Sequence, residues 1–374
     1  MVVDEIQVIP VQLNPGRLFH EFPSVNGESL SRPCGASMAM EISRAARASP
    51  DGRTVALVFG TNDFLELQLN WACHALNARV RWFVLVAMDW ALYNAMLQSF
   101  VARHVILLPC VRQRTCNISK LNVIGERQRY GLSLLRQGYS VVHSDADALW
   151  LRNPWPLFRT RSDIVAERIW GKPLSVVRAW GAAICTGFYF LRSTPAVIAV
   201  VQTAQAEIVA KRARQPGWQA SDQYYINTVL HRLGVTWEGP RKMAPVASMA
   251  TRYYDLNASH GSVATPRGGL RLTMLAHALV PRACPVLSAV ERASMSAAAQ
   301  SSAARPVRGK AKLWRSLLHS AFVVHCFPPG GDPEPGKRRF IFMGHPKHTQ
   351  AEVVFAKRQG LWRLDERACI AGAS

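Results

Sequence analysis

The sequence has few acidic residues and no long apolar run. Lysine and arginine number 45 against 24 aspartates and glutamates, which gives a formal net charge of +21. This imbalance predicts attraction to anions and does not indicate a fold. No apolar run reaches the ~18 residues that a membrane-spanning helix needs, and the first residues lack the charged and apolar regions of a signal peptide. We therefore expect neither a membrane span nor a signal or anchor in this chain.

The chain also lacks any close pair of cysteines. Its eight cysteines are scattered, and none forms a CxxC motif. This spacing excludes a zinc ribbon or a thioredoxin-type dithiol, and the low density excludes a disulfide-dense scaffold. Sequons at Asn117 and Asn257 would accept glycans if the chain enters the secretory pathway.

The 374 residues, 49% of them apolar, are enough for a large globular core. Residues 1–36 are rich in proline, glycine and serine and are predicted to form an extended leader. The predicted domain covers residues 37–350. It contains a flexible basic insertion at about 288–312, which is dominated by alanine, serine and arginine. Residues 351–374 are predicted to form a C-terminal tail.

Strand-like and helix-like segments alternate through the first half of the domain. The predicted strands are 54–60, 80–87, 104–108 and 139–143, with helical spacing between them. This rhythm is typical of βαβ units and predicts an α/β fold with a mostly parallel sheet flanked by helices. The second half is less regular and predicts a mixed strand order. Its predicted elements are strands at 164–166 and 186–191 and helices at 195–213 and 221–230.

Two aspartates follow directly after the strand at 139–143. Asp145 and Asp147 stand two residues apart, at the carboxyl end of that strand. This end of an open α/β sheet faces the ligand crevice, so both carboxylates can turn toward one cation. Hard oxygen ligands suit Mg²⁺ or Mn²⁺, and such an ion assists the departure of a nucleotide diphosphate by neutralising its charge. The alternative is that this Asp-x-Asp is an ordinary surface turn.

The segment 138–154 reads GYSVVHSDADALWLRNP. It resembles the strand, Ser-Asp-x-Asp and Trp-Leu-Arg-Asn-Pro block of the nucleotide-diphospho-sugar transferases, the GT-A glycosyltransferases related to plant arabinosyl- and xylosyltransferases. Leu-Asn-Trp at 69–71, Thr-Gly-Phe at 186–188 and Ser-Asp-Gln at 221–223 look like further landmarks in the family's order. The resemblance covers about residues 50–345. It implies a GT-A fold, with a Rossmann-like parallel sheet and a mixed-strand acceptor half.

The resemblance implies roles for the residues that match the family's metal motif. Asp145 would contact the ribose or the metal, and Asp147 would ligate the metal; both are expected to be catalytic. His325 would be a late third ligand, and Lys337 would contact a phosphate. For His325, the alternative is a core or surface histidine with no ligand role.

Three further positions would contact the nucleotide sugar. Thr61 and Asp89 would lie in the nucleotide pocket, with ordinary loop residues as the alternative. On the helix before the Asp-x-Asp strand, Arg127 or Arg129 could bind the diphosphate bidentately, and we expect Arg129 to do so. The alternative for both arginines is a solvated helix face.

Two positions would shape the sugar and acceptor side. Gly187 would let a ligand approach the backbone closely, or would mark a simple β-bulge. Asp222 would face the acceptor or the sugar hydroxyls, a role that is compatible with capping the helix that it begins.

The function implied by the resemblance is a metal-dependent glycosyltransferase in the Golgi lumen. It would use Mn²⁺ or Mg²⁺ to move a sugar from a UDP- or GDP-linked donor to a hydroxyl of a glycan or glycoprotein. We expect retention, for which the leaving phosphate can deprotonate the acceptor; inversion would need a positioned base, for which Asp222 is the candidate. No nucleic acid is expected as a partner.

Two other classes of protein stay open. A haloacid-dehalogenase-type phosphatase also ends a strand in Asp-x-Asp, but it normally has threonine or valine where Leu149 stands. A non-catalytic polyanion- or RNA-binding protein would account for the net charge but not for two aspartates at a strand end.

Overall fold

The computed structural model describes residues 35–108, 111, 122–169, 173–215, 221–238, 258–276, 279–280, 321–325, 357, 361 and 369. Several predictions fall outside these residues: the leader up to residue 34, the basic insertion at 288–312, both sequon asparagines and Lys337.

The described residues form strands and helices that alternate through the first half of the chain. The strands are Thr54–Gly60 (β1), Phe83–Ala87 (β2), Val105–Leu107 (β3), Ser140–Ser144 (β4), Ala148–Trp150 (β5), Ile164–Ile169 (β6), Ala183–Leu191 (β7), Thr236–Trp237 (β8), Ser259–Thr265 (β9), Gly268–Met274 (β10) and Val323–His325 (β11). The α-helices are Gly35–Arg47 (α1), Leu65–Asn77 (α2), Trp90–Leu97 (α3), Asn122–Arg136 (α4), Trp155–Phe158 (α5), Leu174–Trp180 (α6), Pro195–Arg214 (α7) and Asp222–Arg232 (α8). None of these described helices is both long and apolar enough to cross a bilayer.

Nine strands form one mixed sheet in the order β3-β2-β1-β4-β7-β6-β10-β9-β8. The first four in this order are parallel to one another, because helical connections return the chain to the same end of the sheet. Strand β7 runs antiparallel to both β4 and β6, and β10 pairs parallel with β6 and antiparallel with β9. The predicted α/β fold, parallel in its first half and mixed in its second, is confirmed.

Both faces of the sheet are covered. Along β1, Val55 and Leu57 pack into one apolar cluster, whereas Ala56 and Val58 pack into a second cluster. Successive side chains of a strand point to opposite faces, so a continuous apolar run such as β1 indicates burial on both sides. With both faces filled by the core, the strand ends are left as the place for a polar site.

A disulfide joins Cys73 of α2 to Cys369, and the two cysteines are 296 residues apart. Two side chains of the same helix bond the backbone near the C-terminus: Asn70 Nδ2 donates to Leu361 O at 3.3 Å, and a ring nitrogen of His74 lies 2.8 Å from the same oxygen. Leu361 and Cys369 are buried. These two positions of the predicted C-terminal tail are therefore fixed against α2.

Candidate functional site

The two aspartates lie in a tight turn that joins β4 to β5. Asp145 N donates to Gly187 O at 2.6 Å, and Ala148 N donates to Asp145 O at 3.0 Å, which closes the turn. Below it, the indole nitrogens of Trp71 and Trp150 lie 3.1 Å and 3.2 Å from Ser144 Oγ. The chain therefore leaves the sheet at a fixed position, and the two carboxylates stand at its carboxyl edge.

His325 reaches this turn through β11. This short strand pairs antiparallel with β5, and the pairing sets His325 opposite Ala148, the residue after Asp147. The imidazole Nε2 lies 3.3 Å from Asp147 Oδ1 and 4.0 Å from Asp145 Oδ2. The structure thus brings together three of the predicted site residues, whose ligand atoms all lie within 4.8 Å of one another.

This group of side chains fits a divalent cation. Two carboxylates and an imidazole offer oxygen and nitrogen donors of the kind that Mn²⁺ and Mg²⁺ accept in proteins. Gly187 leaves room beside these ligand atoms because it has no side chain. A Cβ atom at this position would lie 2.4 Å from His325 Cε1 and 2.6 Å from Asp145 Oδ2. Gly187 is therefore needed for the close approach of β7 to the ligand atoms.

Arg127 is the arginine that faces the aspartates. Its Nη1 donates to Asp145 Oδ1 at 2.6 Å, its Nε donates to Asp222 Oδ2 at 3.1 Å, and its Nη2 forms a second contact with Asp222. Arg129 instead pairs with Glu126 on its own helix. The phosphate role that we predicted for Arg129 stays a prediction, while Arg127 links two of the predicted site carboxylates.

Asp222 lies in the first turn of α8 but is not the capping residue. Ser221 caps this helix, since its Oγ accepts from Tyr224 N at 3.3 Å. The Asp222 carboxylate accepts from Gln128 Nε2 at 3.0 Å and from Thr186 Oγ1 at 2.9 Å, in addition to Arg127. Asp222 is therefore a buried anion held by three side chains from two other elements.

Burial and charge act on these groups in opposite directions. Burial alone would raise the pKa of Asp222, but the Arg127 guanidinium and the hydrogen bonds outweigh it and hold the pKa below its usual range. Burial alone would lower the pKa of Arg127, but Asp222 and Asp145 outweigh it and raise the pKa. At Asp145, burial and the nearby Asp147 prevail over Arg127, so its pKa is raised.

Thr61 and Asp89 lie where β1 and β2 end, at the same carboxyl edge of the sheet. Asp89 caps α3 by accepting from Leu92 N at 2.7 Å, and its second oxygen accepts from Asn62 N at 2.8 Å. Within the described part of the chain, no hydrogen bond connects Asp89 with Asp145 or the other metal-site candidates. Its contact with a nucleotide stays a prediction, as does that of Thr61.

The sequence reasoning missed Glu167. This residue lies on β6, and its Oε2 is 2.6 Å from His325 Nδ1. The signal was present in the sequence, because β6 reads IVAERI and carries a carboxylate inside a buried strand. Such a group needs a partner, and the partner was not visible because it lies 158 residues further along the chain.

The strand order and the acidic turn at the sheet edge define an α/β protein with a candidate metal centre. The family model of the nucleotide-diphospho-sugar transferases matches residues 78–286, more than half of the chain. The chain belongs to this family. The match favours the transferase interpretation over the phosphatase and polyanion-binding alternatives.

Curated relatives of this chain include two proteins of Arabidopsis thaliana. UDP-D-xylose:L-fucose alpha-1,3-D-xylosyltransferase 3 is 24% identical over 234 residues, which cover 56% of this chain and 60% of the relative. Beta-arabinofuranosyltransferase RAY1 is 26% identical over 188 residues, which cover 46% of this chain and 32% of the relative. The chain thus spans less than two thirds of either relative.

Solved structures similar to this chain include two glycosyltransferases. The galactosyltransferase LgtC, in complex with donor and acceptor sugar analogues, matches 80% of this chain and 96% of its own, with 12% identity and a TM-score of 0.35. The apo form of the glycosyltransferase GlyE of Streptococcus pneumoniae TIGR4 matches 48% of this chain and 44% of its own, with 12% identity and a TM-score of 0.32.

Proposed function

We propose that this protein is a metal-dependent glycosyltransferase that moves a sugar from a nucleotide diphosphate to a hydroxyl of a glycan or glycoprotein. The observation that supports this most directly is the meeting of Asp145, Asp147 and His325 at the carboxyl edge of the sheet, in a chain of this family. This edge is where ligands bind in open α/β folds.

Asp145, Asp147 and His325 would hold Mn²⁺ or Mg²⁺. Such an ion, when bound, neutralises the charge that builds on a departing diphosphate. The protein's own contribution is to fix the donor atoms beforehand. The turn bonds at Asp145 and the pairing of β11 with β5 hold the three side chains before any ligand arrives.

Arg127 and Asp222 would form the wall against which the sugar lies. Arg127 keeps the Asp145 carboxylate in one orientation, and its charge holds the pKa of Asp222 low, so that Asp222 stays anionic. Anionic groups beside a sugar ring favour the positive charge that develops at its anomeric carbon as the glycosidic bond breaks. The Asp222 carboxylate would therefore favour the transition state, and the diphosphate would lie on the metal-binding side.

We propose transfer with retention of configuration. Inversion needs a carboxylate that can accept the acceptor's proton, and Asp222 is poorly suited because its oxygens already accept from Arg127, Gln128 and Thr186. The same interactions keep its pKa low, which makes it a weak base. In retention the leaving phosphate can take that proton on the same face.

The proposed donor is UDP-linked, with a pentose as the first sugar to test, because the name of one curated relative specifies UDP-D-xylose. The proposed location is the Golgi lumen. The disulfide between Cys73 and Cys369 supports an oxidising compartment, since such bonds are rare in the cytosol.

The test is release of UDP or GDP from a panel of nucleotide sugars by the purified full chain, with Mn²⁺, Mg²⁺ or chelator. We expect turnover of one donor that needs the metal and is lost in Asp147→Ala. The control is Glu207→Gln, which removes a carboxylate from an exposed pair with Arg232 on the surface. Absence of binding and turnover with every donor would overturn the proposal.

A further inference from the structure

Glu167 and His325 form a buried pair behind the candidate metal site. Their side chains are 1% and 0% exposed, and Glu167 Oε2 lies 2.6 Å from His325 Nδ1. The opposite nitrogen of the same ring, Nε2, lies on the side of Asp147 Oδ1 at 3.3 Å. The imidazole therefore stands between one carboxylate in the core and two at the sheet edge.

An irregularity in the sheet puts Glu167 in this place. Ala166 of β6 is opposite Tyr189 of β7, but the next residue, Glu167, is opposite Cys185. The residues between Cys185 and Tyr189, which include Gly187, thus have no partner on β6 and bulge from the regular ladder. Bulges of this kind re-aim side chains beside functional sites. Here the bulge places Gly187 beside Asp145 and places Glu167 beside Nδ1 of His325.

The chemistry of imidazole gives this pair a consequence. A neutral histidine carries one proton, and the nitrogen without it is the one that binds a metal. A carboxylate beside Nδ1 accepts a hydrogen bond from the Nδ1–H group, which leaves the lone pair on Nε2 and fixes the plane of the ring. In this structure Nε2 is the nitrogen that faces the aspartates.

We propose that Glu167 is a positioning residue that holds His325 as the Nδ1–H tautomer and presents Nε2 to the metal; this rests on the proposed function. Glu167 itself does not ligate the ion. The expected effect of losing its carboxylate is roughly a 10- to 100-fold loss of metal affinity, as for other carboxylates behind metal-bound histidines.

A second metal held by Glu167, Cys185 and His325 is the other interpretation, because their ligand atoms also lie within 4.8 Å of one another. The distance between Nδ1 and Oε2 argues against it. Two ligands of a tetrahedral zinc ion stand about 3.3 Å apart, given metal–ligand distances of about 2.0 Å. The observed 2.6 Å is a hydrogen-bond distance.

The test is a double-mutant cycle on Mn²⁺ affinity, measured by isothermal titration calorimetry on the full chain without donor. Glu167→Gln keeps the shape of the side chain and removes its charge. We expect it to weaken Mn²⁺ binding by roughly 10- to 100-fold in the wild-type background and to add nothing once His325→Gln is present. Glu207→Gln, at the surface, should leave the affinity unchanged.

A second measurement needs no variant and guards against a poorly folded Glu167→Gln protein. In ¹⁵N-histidine-labelled wild-type protein with bound Mg²⁺, long-range ¹H–¹⁵N spectra should report His325 as the Nδ1–H tautomer. The Nε2–H tautomer would overturn the proposal whatever the variants show.

The outcomes separate the two proposals. If wild-type protein binds Mn²⁺ in a manner that needs Asp147 but Glu167→Gln has no effect, the positioning role is wrong and the proposed function stands. An equal loss with and without His325 would reveal a direct charge effect and would also refute positioning. If Mn²⁺ binding does not depend on Asp147 at all, both proposals fail.

Discussion

A Cβ atom at Gly187 would lie 2.4 Å from Cε1 of His325, closer than real Cβ contacts allow. Gly187→Ala should therefore displace His325 or Asp145. Since misplacing a reacting group by about 1 Å costs on the order of 100-fold in rate, we expect roughly that loss of donor turnover. The measurement is nucleotide release with Mn²⁺. Gly269→Ala is the matched control, because nothing lies within 4 Å of its added Cβ.

Replacing Arg127 should cost both stability and activity. Arg127→Met leaves Asp145 and Asp222 in the site without their cation, and breaking a buried ion pair in this way costs about 3–5 kcal/mol of unfolding free energy. Urea denaturation measures the effect. Arg129→Met is the control, since its partly exposed pair with Glu126 is worth at most about 1 kcal/mol.

A double variant checks the cause of that loss. Arg127→Met combined with Asp222→Asn removes one of the carboxylates that Arg127 neutralises. The double variant should be more stable than Arg127→Met alone. If the losses of unfolding free energy from the two substitutions simply add, the uncompensated charge of Asp222 is not the cause of the instability.

Stability should rise with pH between about 4 and 6.5. Burial and, to a smaller extent, the charge of Arg127 lower the pKa of His143 to about 3, and the charge of Asp222 acts in the opposite direction. Burial lowers the pKa of His104 to about 4, although the hydrogen bond with the Phe83 carbonyl acts to raise it. In the unfolded chain both histidines become protonated as the pH falls below about 6.5, whereas in the folded protein they stay neutral. Unfolding is therefore favoured as the pH falls through this window.

The contribution of His143 can be isolated by substitution. His143→Gln should reduce the slope of unfolding free energy against pH by about one proton, or about 1.4 kcal/mol per pH unit, between pH 4 and 6. Urea titrations at several pH values provide the measurement, and His231→Gln at an exposed helix end serves as control. An unchanged slope in His143→Gln would mean that His143 is protonated in the folded protein.

Reducing the disulfide should destabilise the protein. Cys73 and Cys369 are 296 residues apart in the chain of 374, and losing a native disulfide typically costs roughly 2–5 kcal/mol. Unfolding in urea with and without a reductant measures this. In the Cys73→Ser, Cys369→Ser double variant the reductant should have no further effect, and any remaining effect would point to another cysteine pair.

The sheet could be predicted because its signals are local. The strands β1 to β4 are short apolar runs separated by helical spacing, and the predicted bounds differ from the observed ones by a few residues. The position of Asp145 and Asp147 at a strand end follows from the same pattern. The resemblance at 138–154 then indicated the family, and the family match confirms it.

The choice between Arg127 and Arg129 could not be made from the sequence. The two residues are two positions apart on α4 and so point to different sides of the helix. The rotation of α4 against the sheet decides which side faces the aspartates, and packing sets that rotation.

The sequence by itself determined the α/β order of elements, the acidic turn after β4 and the membership of a family, because periodicity and motif are written in neighbouring residues. Only the tertiary structure decided which distant groups meet: Glu167 with His325, Arg127 with Asp222, and Cys73 with Cys369. These contacts join residues that lie far apart in the chain. Their geometry depends on strand register, helix rotation and a bulge, none of which a local pattern specifies.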